Sequence, residues 1–166
     1  MSIDAATYRS ALRRHPAGVA IITLMSDAGP VGFTATSLSS LSLDPPLVCF
    51  NITHSSSSVA ALRRTGSVLV HILGEHQHEL AKRFARSASH RFAEVGSWSP
   101  LPTGEPLLAG TPTWMRTTVH QMIPAGDSTL VIGRIEHIHC DDSDGAAPSP
   151  LVYHDGRFLA TSPLPA

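Results

Sequence analysis

Pro30-Val31-Gly32-Phe33-Thr34-Ala35-Thr36-Ser37-Leu38-Ser39-Ser40-Leu41-Ser42-Leu43-Asp44-Pro45-Pro46-Leu47-Val48 is the stretch whose reading decides the fold. It opens as a β-strand and becomes a hydroxyl-rich loop. A Pro-Pro dipeptide stops it, and an apolar strand restarts at once. This layout sets backbone N–H groups and small hydroxyls beside a flat surface. Such a lining suits a polar, ring-shaped ligand better than a protein core.

Working outward, the β-branched run over 18–25 reads as a buried strand, and Asp27-Ala28-Gly29 supplies the turn that pairs it with 31–36. A third strand runs over 47–52. The serine run 55–58 precedes a short helix, capped by a serine and closed by Gly66, and a fourth strand follows over 67–73. Residues 75–86 have helical spacing, with His76, Leu80 and Phe84 on one face. Pro100, Pro102, Pro106 and Pro112 exclude a long regular element between 87 and 112, which reads as a structured excursion. Residues 113–123 alternate, with Trp114, Arg116, Thr118 and His120 on one face and Met115, Thr117, Val119 and Gln121 on the other. A long strand over 128–140, a polar loop over 141–150 and a final hairpin around His154-Asp155-Gly156-Arg157 complete the chain. At the other end Asp4 caps a helix that places Tyr8 and Leu12 on one face. The sum is roughly seven or eight strands with two or three short helices and no βαβ alternation. That predicts a mainly β protein with a few short helices, a mostly antiparallel closed barrel. A chain of 166 residues is expected to form one domain over 1–166, with its core over about 5–160.

Composition narrows the function. Hydrophobic residues make up 42% and charged residues 15%, too apolar a balance for disorder and apolar enough to suggest a face covered by a second subunit. Net charge is −1, and Lys82 is the only lysine among the basic residues, which form pairs and no runs; nucleic-acid binding is not expected. No apolar run reaches membrane-spanning length and no leader segment is read, so a cytoplasmic protein with no membrane partner is expected, with Cys49 and Cys140 as reduced, buried thiols.

The sequence carries no G-x-G-x-x-G, P-loop, G-x-S-x-G or H-E-x-x-H. Ten histidines raise the question of a metal. His76 and His78 diverge on a helix; His137 and His139 share a strand face but lack the third and fourth convergent ligands that zinc needs, so no metal site is expected. Three segments remain as a ligand cradle. Thr34, Ala35, Thr36 and Ser37 let a planar ring approach the backbone. Asn51 and the serines before the next helix, Ser57 and Ser58 among them, offer donors to an anion at a helix start. Lys82-Arg83-Phe84-Ala85 ends a helix with a cation that can reach a phosphate.

Taken in order, these motifs resemble the flavin reductase-like family of FMN-binding split barrels. The resemblance is carried by His15-Pro16-Ala17-Gly18-Val19, Gly32-Phe33-Thr34-Ala35-Thr36-Ser37, Ser40-Leu41-Ser42-Leu43-Asp44-Pro45-Pro46-Leu47, Ser57-Ser58 and Arg83-Phe84-Ala85. It continues through Gly104-Glu105-Pro106-Leu107-Leu108, Gly126-Asp127 and Pro150-Leu151-Val152-Tyr153-His154-Asp155-Gly156. It implies a split-barrel homodimer that binds FMN or FAD, oxidises NADH or NADPH, and supplies reduced flavin to a partner monooxygenase. Thr34, Ala35, Thr36 and Ser37 would then hold the isoalloxazine ring. Asn51, Ser57 and Ser58 would lie by the ribityl chain and phosphate, with Arg83, Phe84 and Ala85 closing the site.

Two departures from the family pattern stand out. Ser128 follows Gly126-Asp127 where the family often has His on the nicotinamide side, and His71 stands in a strand that commonly carries Asn. Ser128 and His71 are therefore the candidate nicotinamide-side residues. No nucleophile or metal is needed from the protein, because hydride transfer is the cofactor's chemistry. The competing readings are a flavin-binding or electron-transfer protein of the same fold, favoured by Ser128, and a haem- or metal-binding split-barrel protein, suggested by the histidines.

Overall fold

The computed structural model describes residues 3–141 and 149–164. Helix α1 (Ala5–Leu12) starts where the Asp4 carboxylate accepts the N–H groups of Ala6 and Thr7 at 2.8 and 2.9 Å, the expected cap. Strands β1 (Ala17–Gly18), β2 (Ala20–Ser26), β3 (Gly29–Ala35), β4 (Ser39–Ser42) and β5 (Leu47–Thr53) follow. Then come α2 (Val59–Leu62), β6 (Ser67–Ile72), a 3-10 turn (Glu75–Gln77), α3 (His78–Ala85) and α4 (Ala88–Arg91). The excursion holds β7 (Trp98–Pro100) and β8 (Pro106–Leu108), and the chain ends with β9 (Thr113–Ala125), β10 (Ser128–Cys140), β11 (Val152–His154) and β12 (Arg157–Leu159).

Seven strands form one antiparallel sheet in the order β3-β2-β6-β9-β10-β5-β4. Its two edges, β3 and β4, do not pair, so the sheet is open, the split barrel that the resemblance implied, and not the closed barrel suggested by the strand count. The curl brings β3 back over β5, where the rings of Phe33 and Phe50 meet with centroids 6.1 Å apart. Inside the curl, Ala20, Ile22, Leu24, Val48, Phe50, Ile52 and Val131 pack with Leu62 of α2. On the outer face Val19, Ile21, Leu73 and Leu151 pack under Ala81 and Phe84 of α3 and Leu108 of β8. β2 is thus buried on both faces, which is why its sequence is a continuous apolar run and not an alternating one. Burying such side chains contributes on the order of 1.5–3 kcal/mol each.

Several expectations change. β4 is a strand where a loop was expected, and the 87–112 excursion contains a small hairpin and α4. The helix after the serines is a single turn; Ser58 makes no side-chain cap bond and Gly66 lies beyond its end. His76 is exposed and does not share the buried face of Phe84. Tyr8 and Leu12 share a helix face but are 59% and 51% exposed, so α1 buries nothing within the chain. Cys49 is half-buried and Cys140 exposed, both free, which corrects the expectation of two buried thiols. The loop expected over 141–150 lies mostly outside the described residues. The final hairpin turns through Asp155 and Gly156 at φ 46° and 78°, the left-handed pair that an Asp-Gly turn supplies.

Candidate functional site

The hydroxyl-rich loop after β3 forms one wall of a cleft of about 680 Å³. Thr36, Ser37, Leu38 and Ser39 face the C-terminal half of α1, the His15–Pro16 corner and the His154–Gly156 turn. Arg9, Arg13, His15 and His154 set a basic rim against one carboxylate, Asp155, while Tyr8, Leu12 and Tyr153 supply apolar wall. The turn is held to the helix end by the Asp155 N–H, which donates to Arg13 O at 3.0 Å.

The proposed ring-holding residues divide in two. Thr36 and Ser37 reach the cleft. Thr34 does not offer its hydroxyl, which donates to Ala81 O at 2.9 Å and ties β3 to α3, and the Ala35 side chain is buried in the core. What β3 offers instead is backbone. It is an edge strand, and Gly32 O accepts a bond from Arg91, so Gly32 points its peptide groups away from β2; by the two-residue period of a strand Thr34 does the same.

Asn51 is brought to this loop directly: its N–H donates to the Ser37 hydroxyl at 2.8 Å. Ser57 is exposed, whereas Ser58 is 1% exposed, with its hydroxyl accepting from Arg91 Nη1 at 3.2 Å. Two bonded groups result: Ser37 with Asn51 at the cleft wall, and Gly32 with Ser58 through Arg91. Gly32 and Thr36 stand about 13 Å apart along the strand at 3.3 Å per residue.

Arg83, Phe84 and Ala85 occupy a different place. Arg83 pairs with Glu94 in the groove between α3 and the α4–β7 connection, and its Nε is buried without a partner. Phe84 is fully buried, and a Cβ on Gly32 would come within 2.8 Å of its ring, so Gly32 is where α3 packs closely on β3. Ala85 is exposed.

The nicotinamide-side candidates also separate. Ser128 is half-buried at the start of β10, paired across to Thr53, with its hydroxyl donating to Asp127 Oδ1 at 2.9 Å. His71 is fully buried, with Nδ1 3.2 Å from Ile21 O and Nε2 accepting the Leu108 N–H at 3.2 Å. Burial pushes its pKa down to about 4, so the ring is neutral and structural; the expectation that it faces a nicotinamide is corrected, because neither ring nitrogen is left for a ligand. His137 and His139 flank Trp114, with centroids 5.3 and 5.2 Å away. Among the described residues no three His, Cys, Asp or Glu converge as metal ligands.

The sequence reading missed two features near the site. Arg91, from the proline-rich excursion, reaches Ser58 and Gly32, and the His15 and His154 corners complete the cleft. Both corners lie in motifs that carried the resemblance, His15-Pro16 and His154-Asp155-Gly156, so that signal was present. For Arg91 there was none beyond an Arg-Phe pair on a short helix.

The model of the flavin reductase like domain matches residues 12–162. The chain belongs to the flavin reductase-like family. An NADH:FMN oxidoreductase of Rhodococcus erythropolis is 57% identical over 162 residues, covering 98% of this chain and 84% of that protein. The reductase subunit HsaB of a flavin-dependent monooxygenase of Mycobacterium tuberculosis is 33% identical over 97% of this chain and 84% of its own length. Among solved structures, a flavin reductase domain protein of Arthrobacter sp. FB24 superposes with a TM-score of 0.90 at 36% identity, covering 98% of this chain and 99% of that one. The NADH:FAD oxidoreductase SgcE6 of Streptomyces globisporus, solved with NAD and FAD fragments, gives 0.86 at 27% identity over 96% and 94%.

A flavin fits the residues present. The cleft lies within the ordinary size range of cofactor sites, its rim is basic, its walls are partly aromatic, and the hydroxyls of Thr36, Ser37 and Ser39 line it with groups that can pair with a ring's carbonyls and nitrogens. When bound, a flavin supplies the hydride acceptor. The chain's own part is to position two rings and to place N–H and O–H donors beside the charge that develops.

Proposed function

We propose that the protein is an NAD(P)H:flavin oxidoreductase that reduces FMN or FAD and supplies the reduced flavin to a partner flavin-dependent monooxygenase. The observation that carries this reading is the 57% identity, over nearly the whole chain, to an NADH:FMN oxidoreductase, which favours NADH and FMN as the pair used. In this reading Thr36 and Ser37, with the outward N–H and C=O of Thr34, hold the ring, and Ala35 contributes as a small residue that lets it approach. Asn51 and Ser57 flank the ribityl chain, and Ser58 serves the phosphate. Arg83 reaches a phosphate only on leaving Glu94, and Phe84 and Ala85 act by shaping α3. Ser128 is the residue left on the nicotinamide side.

The monooxygenase partner follows from relatives named as reductase subunits, HsaB and the stachydrine demethylase reductase Stc3 of Rhizobium meliloti. A homodimer is supported by exposed apolar residues beside the cleft, Tyr8, Leu12 and Tyr153, which a second copy would cover. Among the described residues no helix is long and apolar enough to cross a membrane.

The test is the visible spectrum of the purified protein with FMN, then FAD, before and after NADH under anaerobic conditions. Bleaching with turnover is expected, faster with NADH than with NADPH. The specific observation favouring a second reading, an electron carrier, is that Ser128 points its hydroxyl at Asp127; bound flavin that neither NADH nor NADPH bleaches would establish that alternative.

A further inference from the structure

The flavin reading uses one wall of the cleft, the loop from Thr36 to Ser39, and leaves the facing wall unassigned. That wall is built by the C-terminal half of α1, the His15–Pro16 corner and the turn between β11 and β12. Its fully charged side chains are Arg9, Arg13 and Asp155. Arg9 and Arg13 lie four residues apart at the end of α1, so they are neighbours on one helix face. Asp155 is placed by the backbone: it sits at φ 46° in the turn, and its N–H donates to Arg13 O at 3.0 Å. The main chain thus ties the carboxylate to the helix end, while no ion pair or side-chain hydrogen bond joins Asp155, Arg9 or Arg13 to another of the described residues. Three charged groups of mixed sign share one rim and are not used up by one another.

This set matches the polar part of an adenine dinucleotide. Guanidinium forks bind a pyrophosphate, and a carboxylate accepts hydrogen bonds from the hydroxyls of the adenosine ribose. NADH and NADPH differ only at the 2′ position of that ribose, a hydroxyl donor in one and a phosphate in the other. A carboxylate bonds the first and repels the second, and an arginine does the reverse. Asp155 is the one carboxylate among the described residues that line the cleft. Were it neutral, the fixed charges of the rim would all be cationic and the more highly charged nucleotide would be favoured.

We propose that Asp155 makes the protein select NADH against NADPH, accepting a hydrogen bond from the 2′-hydroxyl of the adenosine ribose while Arg9 and Arg13 hold the pyrophosphate. This rests on the reductase reading above and supplies a physical reason for its preference for NADH. The adenosine ribose of FAD offers the same chemistry, and the two sources are separable.

The experiment measures kcat and KM for NADH and NADPH, with FMN as acceptor, for wild type, Asp155→Asn, Asp155→Glu and Arg13→Gln. Calorimetry on the same proteins gives the dissociation constants of 5′-AMP, adenosine 2′,5′-bisphosphate, FMN and FAD. Wild type is expected to prefer NADH, and 5′-AMP over the bisphosphate. Asp155→Asn should move the ratio of kcat/KM for the two nucleotides about tenfold or more toward NADPH, through KM, and shift the two adenylates in the same direction. Asp155→Glu should keep the wild-type preference, and Arg13→Gln should raise both KM values in parallel. Asn is tolerated at a positive φ; should Asp155→Asn fail to fold, Asp155→Gly carries the same comparison. An unchanged ratio in Asp155→Asn would overturn the proposal, as would a change confined to kcat. A weakened affinity for FAD, with FMN and the nucleotide ratio unmoved, would give the ribose to the flavin and also overturn it. Wild type that oxidises both nucleotides equally refutes the selection by Asp155 alone, whereas wild type that oxidises neither refutes the reductase reading itself.

Discussion

The His71 ring bridges two layers: Nε2 accepts the Leu108 N–H at 3.2 Å, and Nδ1 lies 3.2 Å from Ile21 O. The Leu108 bond requires a lone pair on Nε2, so the proton sits on Nδ1 and is donated to Ile21. Through this ring the proline-rich excursion is fastened to the central strands. Protonating Nε2 destroys the bond to Leu108, and burial holds the folded pKa at about 4 against an ordinary 6.5. The unfolded chain therefore binds more protons between those values, and stability falls as pH drops from about 6.5 to about 4, by roughly 3 kcal/mol over the window. Urea midpoints measured at steps between pH 7 and 4 should show this slope, and His71→Gln should remove most of it; an unchanged slope would reassign the acid sensitivity.

Glu105 carries a second load in the same layer. It is 2% exposed and accepts from Ser67, Thr103 and Arg116, the last at 2.9 Å. Burial pushes its pKa up, but the Ser67 and Thr103 hydroxyls, its own backbone N–H and the Arg116 guanidinium outweigh that and leave it below the usual carboxylate range. Its stabilisation is present above the unfolded pKa and lost as pH falls through the lower folded one. Glu105→Ala leaves Arg116 half-buried and unpaired and should cost about 3–5 kcal/mol in chemical denaturation, while Glu105→Ala with Arg116→Met should recover part of that loss.

Gly32 permits no side chain. A Cβ there would stand 2.8 Å from the Phe84 ring and 3.0 Å from Ile22 O. Gly32→Ala should cost about 1–3 kcal/mol and, by shifting α3 off β3, weaken FMN binding as well. A thermal melt and an FMN titration on one preparation test both parts; unchanged FMN affinity would detach α3 from the site.

Most of the strands were legible because β-branched runs and alternation report burial directly. β2, β5, β6, β9 and β10 fall within two residues or so of their expected bounds. β4 was not legible: Ser39–Ser42 has no apolar period and is a strand only because β5 offers it an edge. Closure was misjudged because unpaired edges are a property of topology, not of any strand's own sequence. In the candidate site, Thr36 and Ser37 line the cleft and Asn51 bonds Ser37, while Ser58 is buried against Arg91. Arg83 and Arg91 could not be told apart, since nothing local shows that Glu94 answers one and no carboxylate answers the other. His71 stood out as an ionisable residue in an apolar strand, and only three dimensions show that two backbone groups account for it.

Glu94→Gln tests whether Arg83 takes part in binding. The pair is largely solvent-exposed on the Glu94 side, so stability should change by less than about 1 kcal/mol. If Arg83 serves the cofactor, freeing it should tighten FMN binding about two- to threefold at low salt, and the gain should vanish in high salt. An affinity that does not move would place Arg83 outside the site.

The bond from Arg91 to Gly32 O has a consequence for how copies of the chain behave in company. β3 is an open edge, and an outward carbonyl on an open edge invites a foreign strand. With the guanidinium seated on it, that acceptor is spoken for and a bulky positive group stands in the path of a second strand. Removing Arg91 would therefore expose a template for edge-to-edge association, and light scattering of concentrated Arg91→Gln should rise before any loss of secondary structure.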